Sequence, residues 1–455
     1  MHSEFKNMNK SGIQLVAFIF LGTMYLNVQA EEVSFKSAIA PILIDNCLAC
    51  HGSKKAEGGY RVDTYERFLS AGDSEADAIT AGSPGESETL QRIIAEDECI
   101  RMPLEGDPLS KEQIASITQW IKEGAKYDAD DPQAVLASIV PAPTYPDPPE
   151  TYPRSVPVTA VAFNPAGNQL VAGGYYELTI WSVEDGSLIR RIKNMAQRTF
   201  AIRFSNDGKT IIAGGGAPGQ IGEARLFDAE TGELQQVLGT TSDVVLDVQL
   251  NPNGDKLAIA GADGAIQIFN LADGQSVRTI TSHSDWVMAV AWNADGTQIA
   301  SASRDKTAKV FDVETGELLV TYGGHSQPVQ GVVFHPNNDL VYSSGKDNKI
   351  HWWKKTDGKK SGELALGGEV FKLQQSSTFI FAASADKSVR QIDAAAQKEV
   401  RKYAGHSDWA LSSAYHSDTK RVVSGGFNGD IQIWNADDGK SVISFVAAPG
   451  ISKKE

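Results

Sequence analysis

The sequence is poor in cysteine, in cationic residues and in long apolar runs. Only three cysteines occur in 455 residues, Cys47, Cys50 and Cys99. That is too few to staple a secreted scaffold, so stability has to come from burial. Positive charge is in deficit, with 42 Lys and Arg against 57 Asp and Glu and a net charge of −15. This argues against a phosphate-binding surface and hence a nucleic-acid partner, which needs clustered cations, and favours cationic partners. The apolar run Ile13 to Val28 follows Lys6 and Lys10 and ends in Val28-Gln29-Ala30. It is shorter than the ~20 residues of a spanning helix. A positive start, an apolar middle and a small-residue end read as a signal peptide over residues 1–30, with Met8 as an alternative start and an uncleaved anchor as the alternative fate. The expectation is an exported, periplasmic bacterial protein with no membrane span after cleavage.

What is abundant is glycine, 42 residues in all, which favours many short turns. Beyond residue 158 the chain repeats one pattern of strand, polar turn and strand: "VAFNPAGNQLVAGG", "IRFSNDGKTIIAGG", "VQLNPNGDKLAIAG", "VAWNADGTQIASAS", "VVFHPNNDLVYSSG" and "SAYHSDTKRVVSGG". Each block then reaches an aromatic strand at Trp181, Phe227, Phe269, Phe311, Trp353 or Trp434, and Ile392 fills the one gap. The period of about 42 residues fits a four-stranded propeller blade, and seven blades are expected over 158–455. Residues 31–127 read instead as helices and loops. Ser110-Lys111-Glu112-Gln113 is a capping box opening a helix through Ile114, Ile117 and Ile121, and Ser87 opens a shorter one carrying Ile93 and Ile94. A third runs from Ser34 towards the first cysteines, with Pro41 limiting its regularity. Residues 128–157, ending in "VPAPTYPDPPETYPRSVP", read as an extended Pro-rich linker.

The chemistry concentrates in "IDNCLACHG", residues 44–52. C-x-x-C opens zinc sites, thioredoxin-like redox pairs and covalent haem sites alike. Zinc needs four ligands, and the N-terminal part adds only Cys99 and no second histidine. A redox pair would want a preceding strand in a βαβ setting, which is missing. Haem remains: two sulfurs almost one helical turn apart can add to its two vinyl groups, and His51 can reach the iron from the same side. Met102, within Arg101-Met102-Pro103, is the candidate sixth ligand, a neutral thioether that favours ferrous iron. Expected at this site are therefore Cys47, Cys50, His51 and Met102, with His51 and Met102 on the metal. Arg61 and Arg92 are candidates for pairing haem propionates or are simply solvated, Cys99 reads as a small buried residue, and Trp120 as core.

Two resemblances follow from these residues. The order Cys47 to Gly52, Gly58 to Thr64, Gly82 to Leu90, Met102-Pro103, Leu109 to Ile114 and Trp120 to Ala125 resembles class I-like c-type cytochromes, and more closely the planctomycete-type cytochrome c domain. Leu104 stands where that family often has a second proline. The repeats resemble WD40 repeats: Gly324-His325 and Gly405-His406 match the glycine-histidine signature, Ser282-His283 half matches it, and Asp263, Asp305, Asp347 and Asp386 precede the terminal aromatic or its equivalent by six residues. In WD40 proteins such His and Asp residues fasten the strands of a blade. Phe-Asp or Trp-Asn replaces the usual Trp-Asp here. The expected fold class is thus multidomain, a small all-α class I-like cytochrome c domain followed by an all-β seven-bladed WD40-type propeller.

The function expected is that of an exported monohaem c-type cytochrome transferring single electrons, one haem c being covalently bound, with the propeller as a protein-interaction platform. Residues 31–127 hold 10 basic and 18 acidic side chains, so the redox partner should present a basic patch. No catalytic residue is assigned. The alternative is an oxidoreductase whose propeller carries its own active site or cofactor, as in cytochrome cd1 nitrite reductase or quinoprotein dehydrogenases; such propellers typically have eight blades. Of the propeller histidines, His335, His351 and His416 look scattered in phase, with no convergent metal site among them.

Overall fold

A computed structural model describes residues 32–451 apart from 49, 53, 54, 105, 337, 338 and 377. The segment expected to be a signal peptide, 1–30, lies outside the described residues. The chain divides into two compact units, one running to Pro141 and one from Ala142 onward.

The first unit is helical. A π-helical turn, Phe35–Ile39, runs into α1, Ala40–Asn46. The change of winding falls where Pro41, lacking an N–H, fits only the first turn of a new helix. Then come α2 (Tyr65–Leu69), α3 (Glu88–Ile93), α4 (Lys111–Lys122) and α5 (Leu136–Ile139). The expected capping box is formed: Gln113 N donates to Ser110 Oγ at 3.2 Å and Ser110 N to Gln113 Oε1 at 2.8 Å. Ser87 stands at the N-cap of α3 and so opens it as expected, but its side chain makes no capping bond. Its hydroxyl, fully buried, instead accepts the Thr80 amide at 2.9 Å and so ties the preceding loop. Phe35, Phe68 and Trp120 make the centre of the core, with the Phe68 and Trp120 rings stacked 5.8 Å apart. Each such ring contributes roughly 2–3 kcal/mol by leaving water. Trp120 is core, as expected, and its indole N–H donates to Lys126 O at 2.8 Å.

The proline-rich stretch is not free chain. Leu136 is buried in the first core, and its amide donates to Asp63 O at 2.9 Å. From Ala142 the stretch is strapped to the propeller: the Arg191 guanidinium holds Pro149 O at 2.7 Å and Glu150 O at 3.1 Å. The same arginine pairs with buried Glu177 at 2.6 Å, and Glu177 also takes the Tyr152 hydroxyl at 2.6 Å. Tyr145 lies 4.5 Å over buried Arg225. Proline-rich backbone leaves its carbonyls unpaired, and the arginines supply the donors.

The second unit is a seven-bladed propeller: the described residues form seven antiparallel four-stranded sheets, each built from consecutive strands. Asn251 shows how the repeat makes its first turn. Its Oδ1 accepts the amides of Asp255 at 3.0 Å and Lys256 at 2.9 Å, while Gly254 takes φ +76°, a conformation costly for residues with a Cβ. The irregular 46-residue step between Trp181 and Phe227 is a longer hairpin in the second blade, Thr210–Ala217 with Ile221–Asp228. Its glycines are needed for close packing, since a Cβ on Gly222 would sit 2.0 Å from Asp243 O. The last blade completes itself, because Ser441–Val446 pairs with Asp430–Asn435. Closure falls to the packing of the first blade on the seventh, with Val158 N on Gly426 O at 3.1 Å and Ser412 Oγ on Val158 O at 2.9 Å. Across the channel Lys372 Nζ reaches Phe200 O at 3.0 Å and Leu246 O at 2.9 Å, linking the sixth blade to the second and third.

Candidate functional site

In the helical unit α1 ends at Asn46, and Cys47 closes it with an N–H to Leu43 O at 3.0 Å. His51 N then donates to Cys47 O at 2.9 Å, one more α-turn, which sets Cys47, Cys50 and His51 on a single bend. Gly52 follows because a Cβ there would lie 2.7 Å from Leu48 O. The chain returns through Val62 N to His51 O at 2.8 Å and Met102 N to Arg92 O at 3.0 Å. Those bonds bring the methionine loop, 51 residues further on, to the rim of the same cavity.

That cavity, ≈ 290 Å³, is lined by Cys47, Cys50, His51 and Met102 together, with apolar walls that include Leu43, Val62 and Ile93. All four residues expected at the site therefore share one space. The His51 imidazole presents Nδ1 to Tyr60 O at 3.3 Å, which leaves Nε2 as its other donor atom. Tyr60 is fixed in turn by its hydroxyl, 2.9 Å from both Phe68 O and Thr89 Oγ1. Burial, and then the neighbouring Cys50, push the Cys47 thiol up to about 11, so it rests protonated. Cys50 is exposed, with Lys55 Nζ 4.0 Å from its sulfur. Two thiols, an imidazole and a thioether beside apolar walls suit a flat apolar group bearing a borderline metal better than a hard cation.

One expectation changes, and two that were left open gain detail. Cys99 is exposed rather than buried, its amide turned to Asp97 Oδ1 at 2.9 Å in an acidic surface loop. Arg61 is bound to Asp63 at 2.9 Å and does not line the cavity. Arg92 does line it, already paired with Glu88 at 2.8 Å.

In the propeller the glycine-histidine positions act as fasteners. The fifth blade holds a buried relay: Asp347 Oδ2 to His325 Nδ1 at 2.8 Å, His325 Nε2 to Ser343 Oγ at 2.9 Å, and Trp353 Nε1 to Ser343 Oγ at 3.1 Å. The fourth repeats it through Asp305, His283 and Ser301 at 2.8 and 2.6 Å. Asp386, lacking a histidine, pairs with Arg390 instead, and Asp263, with no histidine partner among the described residues, accepts the Ala265 amide at 3.1 Å. His406 finds Asp430 at 2.8 Å. This partner escapes the sequence reading because it stands four residues before Trp434 instead of six.

His351 is not scattered. It joins His325 and Asp347, the three ligand-type atoms lying within 4.8 Å of one another, because its strand faces the glycine-histidine turn. The two imidazoles stack at 4.0 Å and 11°. Every ring nitrogen is engaged, those of His351 with Tyr322 Oη at 2.7 Å and with Glu363 at 3.3 Å. Parallel rings cannot aim their lone pairs at one point, so the cluster is a hydrogen-bonded stack rather than a ligand set.

Fold and cavity together define a cytochrome c-type domain joined to a WD40 β-propeller. Residues 47–106 match the family model for Planctomycete cytochrome C. Residues 232–270, 274–312, 316–354 and 397–435 match that of the WD domain, G-beta repeat. Each repeat match starts on the outer strand of one blade and ends on the third strand of the next. The chain is also similar to the COMPASS component SWD3 of Saccharomyces cerevisiae, 26% identical over 122 residues, which is 25% of this chain and 38% of that protein.

Proposed function

We propose that this chain is an exported electron-transfer protein, that Cys47 and Cys50 would attach one haem c while His51 and Met102 would hold its iron, and that its propeller docks partner proteins. The observation that carries the reading is the convergence of those four side chains on one apolar-walled cavity. When bound, haem supplies a one-electron couple whose potential a methionine ligand raises. The protein's own part is to hold and orient. Tyr60 O fixes the imidazole through Nδ1, as backbone carbonyls do for ligating histidines, and the apolar walls offer a surface for the macrocycle. With His51 and Met102 both engaged in holding the iron, the role would be electron transfer rather than catalysis. The surplus of carboxylates in residues 31–127, 18 against 10 basic groups, suits a redox partner with a basic patch.

The test is to express the chain with a haem-attachment system and weigh it. The expected result is a periplasmic protein starting after Ala30, one haem heavier than its polypeptide, with a c-type spectrum and with reversible electron exchange. A colourless protein of bare polypeptide mass would overturn the proposal, and so would loss of neither colour nor mass in a Cys47→Ser, Cys50→Ser double variant.

A further inference from the structure

Two blades enter through the same four residues, His283-Ser284-Asp285-Trp286 in the fourth and His406-Ser407-Asp408-Trp409 in the seventh. Their backbones are in register. In both, the aspartate Oδ1 accepts the tryptophan amide at 2.8 Å. In both, the tryptophan carbonyl accepts an amide at 2.9 Å from the residue just after the blade's second strand, Arg304 in one case and Phe427 in the other.

The two corners differ in what covers them. In the fourth blade Arg304 donates through Nε to Asp285 Oδ2 at 3.0 Å, and its guanidinium carbon lies 4.4 Å from the Trp286 ring centre. The corner is thus closed by a cation held between a carboxylate and an indole face. In the seventh blade phenylalanine replaces that arginine. Asp408 makes no ion pair among the described residues, its hydrogen bond being to the Trp409 amide. Lys387 of the adjoining blade donates to Ser407 O at 2.8 Å. Trp409 is 42% exposed and Phe427 48%. Together with Phe371 they form a row of rings with centroids 5.6 and 5.7 Å apart.

We propose that the Asp408–Trp409 corner receives an arginine side chain of a partner polypeptide, supplying in trans the cation that Arg304 supplies within the fourth blade. This rests on the reading of the propeller as a docking body and names the chemistry it recognises. A guanidinium fits better than an ammonium because it is planar, weakly hydrated, stacks on aromatic faces and can still hydrogen-bond a carboxylate at its edge.

The experiment uses the full chain labelled with 5-fluorotryptophan, whose eight tryptophans give separate fluorine signals, with Trp409 assigned by Trp409→Phe. The probes are the peptide acetyl-Gly-Ser-Arg-Ser-Gly-amide and its lysine and citrulline versions. The arginine peptide is expected to shift the Trp409 signal saturably, lysine to bind more weakly and citrulline to leave the signal in place. Asp408→Asn should weaken the arginine response about fivefold, the worth of one exposed ion pair. Phe427→Arg should abolish it by filling the corner in cis, and Arg304→Gln should open a second site seen at Trp286. An unmoved Trp409 signal, or equal responses to arginine and citrulline, overturns the arginine site. The docking reading itself falls on a separate result, if no propeller tryptophan signal responds to the protein that exchanges electrons with the haem.

Discussion

Ser343→Ala isolates the buried relay of the fifth blade. Ser343 is fully buried, and its hydroxyl is shared by two groups: it donates to His325 Nε2 and accepts from the Trp353 indole. Removing it orphans both, and each buried polar group left unpaired costs about 1–3 kcal/mol, so a loss of about 2–6 kcal/mol is expected. The fourth blade supplies the control, because Phe311 stands where Trp353 does and, among the described residues, the Ser301 hydroxyl serves His283 alone; Ser301→Ala should cost about 1–3 kcal/mol. In the seventh blade Ser424 donates to Ser412 O at 2.8 Å, and His406 Nε2 has no partner among the described residues, so Ser424→Ala should be the mildest, about 1 kcal/mol or less. Urea unfolding followed by far-ultraviolet circular dichroism ranks the three. A Trp353→Phe background closes the cycle, since there the cost of Ser343→Ala should fall to the Ser301→Ala level. If Ser343→Ala is no more costly than Ser301→Ala, or its cost is unchanged in that background, the shared hydroxyl is not what fastens the blade.

Met102→Ala should remove the weak near-infrared band of methionine-ligated ferric haem and lower the midpoint potential; an unchanged band rules this ligand out. Glu177→Gln strips Arg191 of its buried carboxylate, and breaking such a pair costs about 3–5 kcal/mol, with the lower end expected because Arg191 stays 15% exposed. Limited proteolysis should then cut the 142–157 strap faster than in the parent chain. Acid should weaken the propeller. Burial holds His283 and His325 below their ordinary value, and burial, then the adjacent His325 and Lys360, hold His351 down at about 4. The unfolded chain therefore takes up protons below pH about 6.5 that the folded chain refuses, so stability is whole above that value and falls on acidification, by up to about 1.4 kcal/mol per pH unit for each such histidine. Unfolding midpoints measured between neutral pH and pH about 4.5 should fall, less steeply in His351→Gln.

The sequence carried the repeat count because blade length is fixed by four strands and their turns, and the third strand of every blade buries one recurring apolar residue, aromatic in six blades and Ile392 in the other. The cavity was legible for a similar reason: Cys47, Cys50 and His51 lie within one turn, and Met-Pro marks the returning loop. What was lost depends on neighbours distant in sequence. Val135 and Leu136 join the helical unit through a bridge to Thr64 and a bond to Asp63, which composition alone describes as linker. His351 meets His325 only through strand pairing, 26 positions apart in the chain. The exposure of Cys99 follows from the acidic turn Glu96-Asp97-Glu98, whose carboxylates keep that loop at the surface.

A ring whose final blade borrows no strand has a seam. Between the seventh blade and the first, cohesion rests on side-chain packing and on isolated bonds such as His416 Nε2 to Pro165 O at 2.9 Å, while within every blade a full ladder holds. Pulled from its two ends, such a propeller should part there before any sheet unzips, giving an open but still bladed arc.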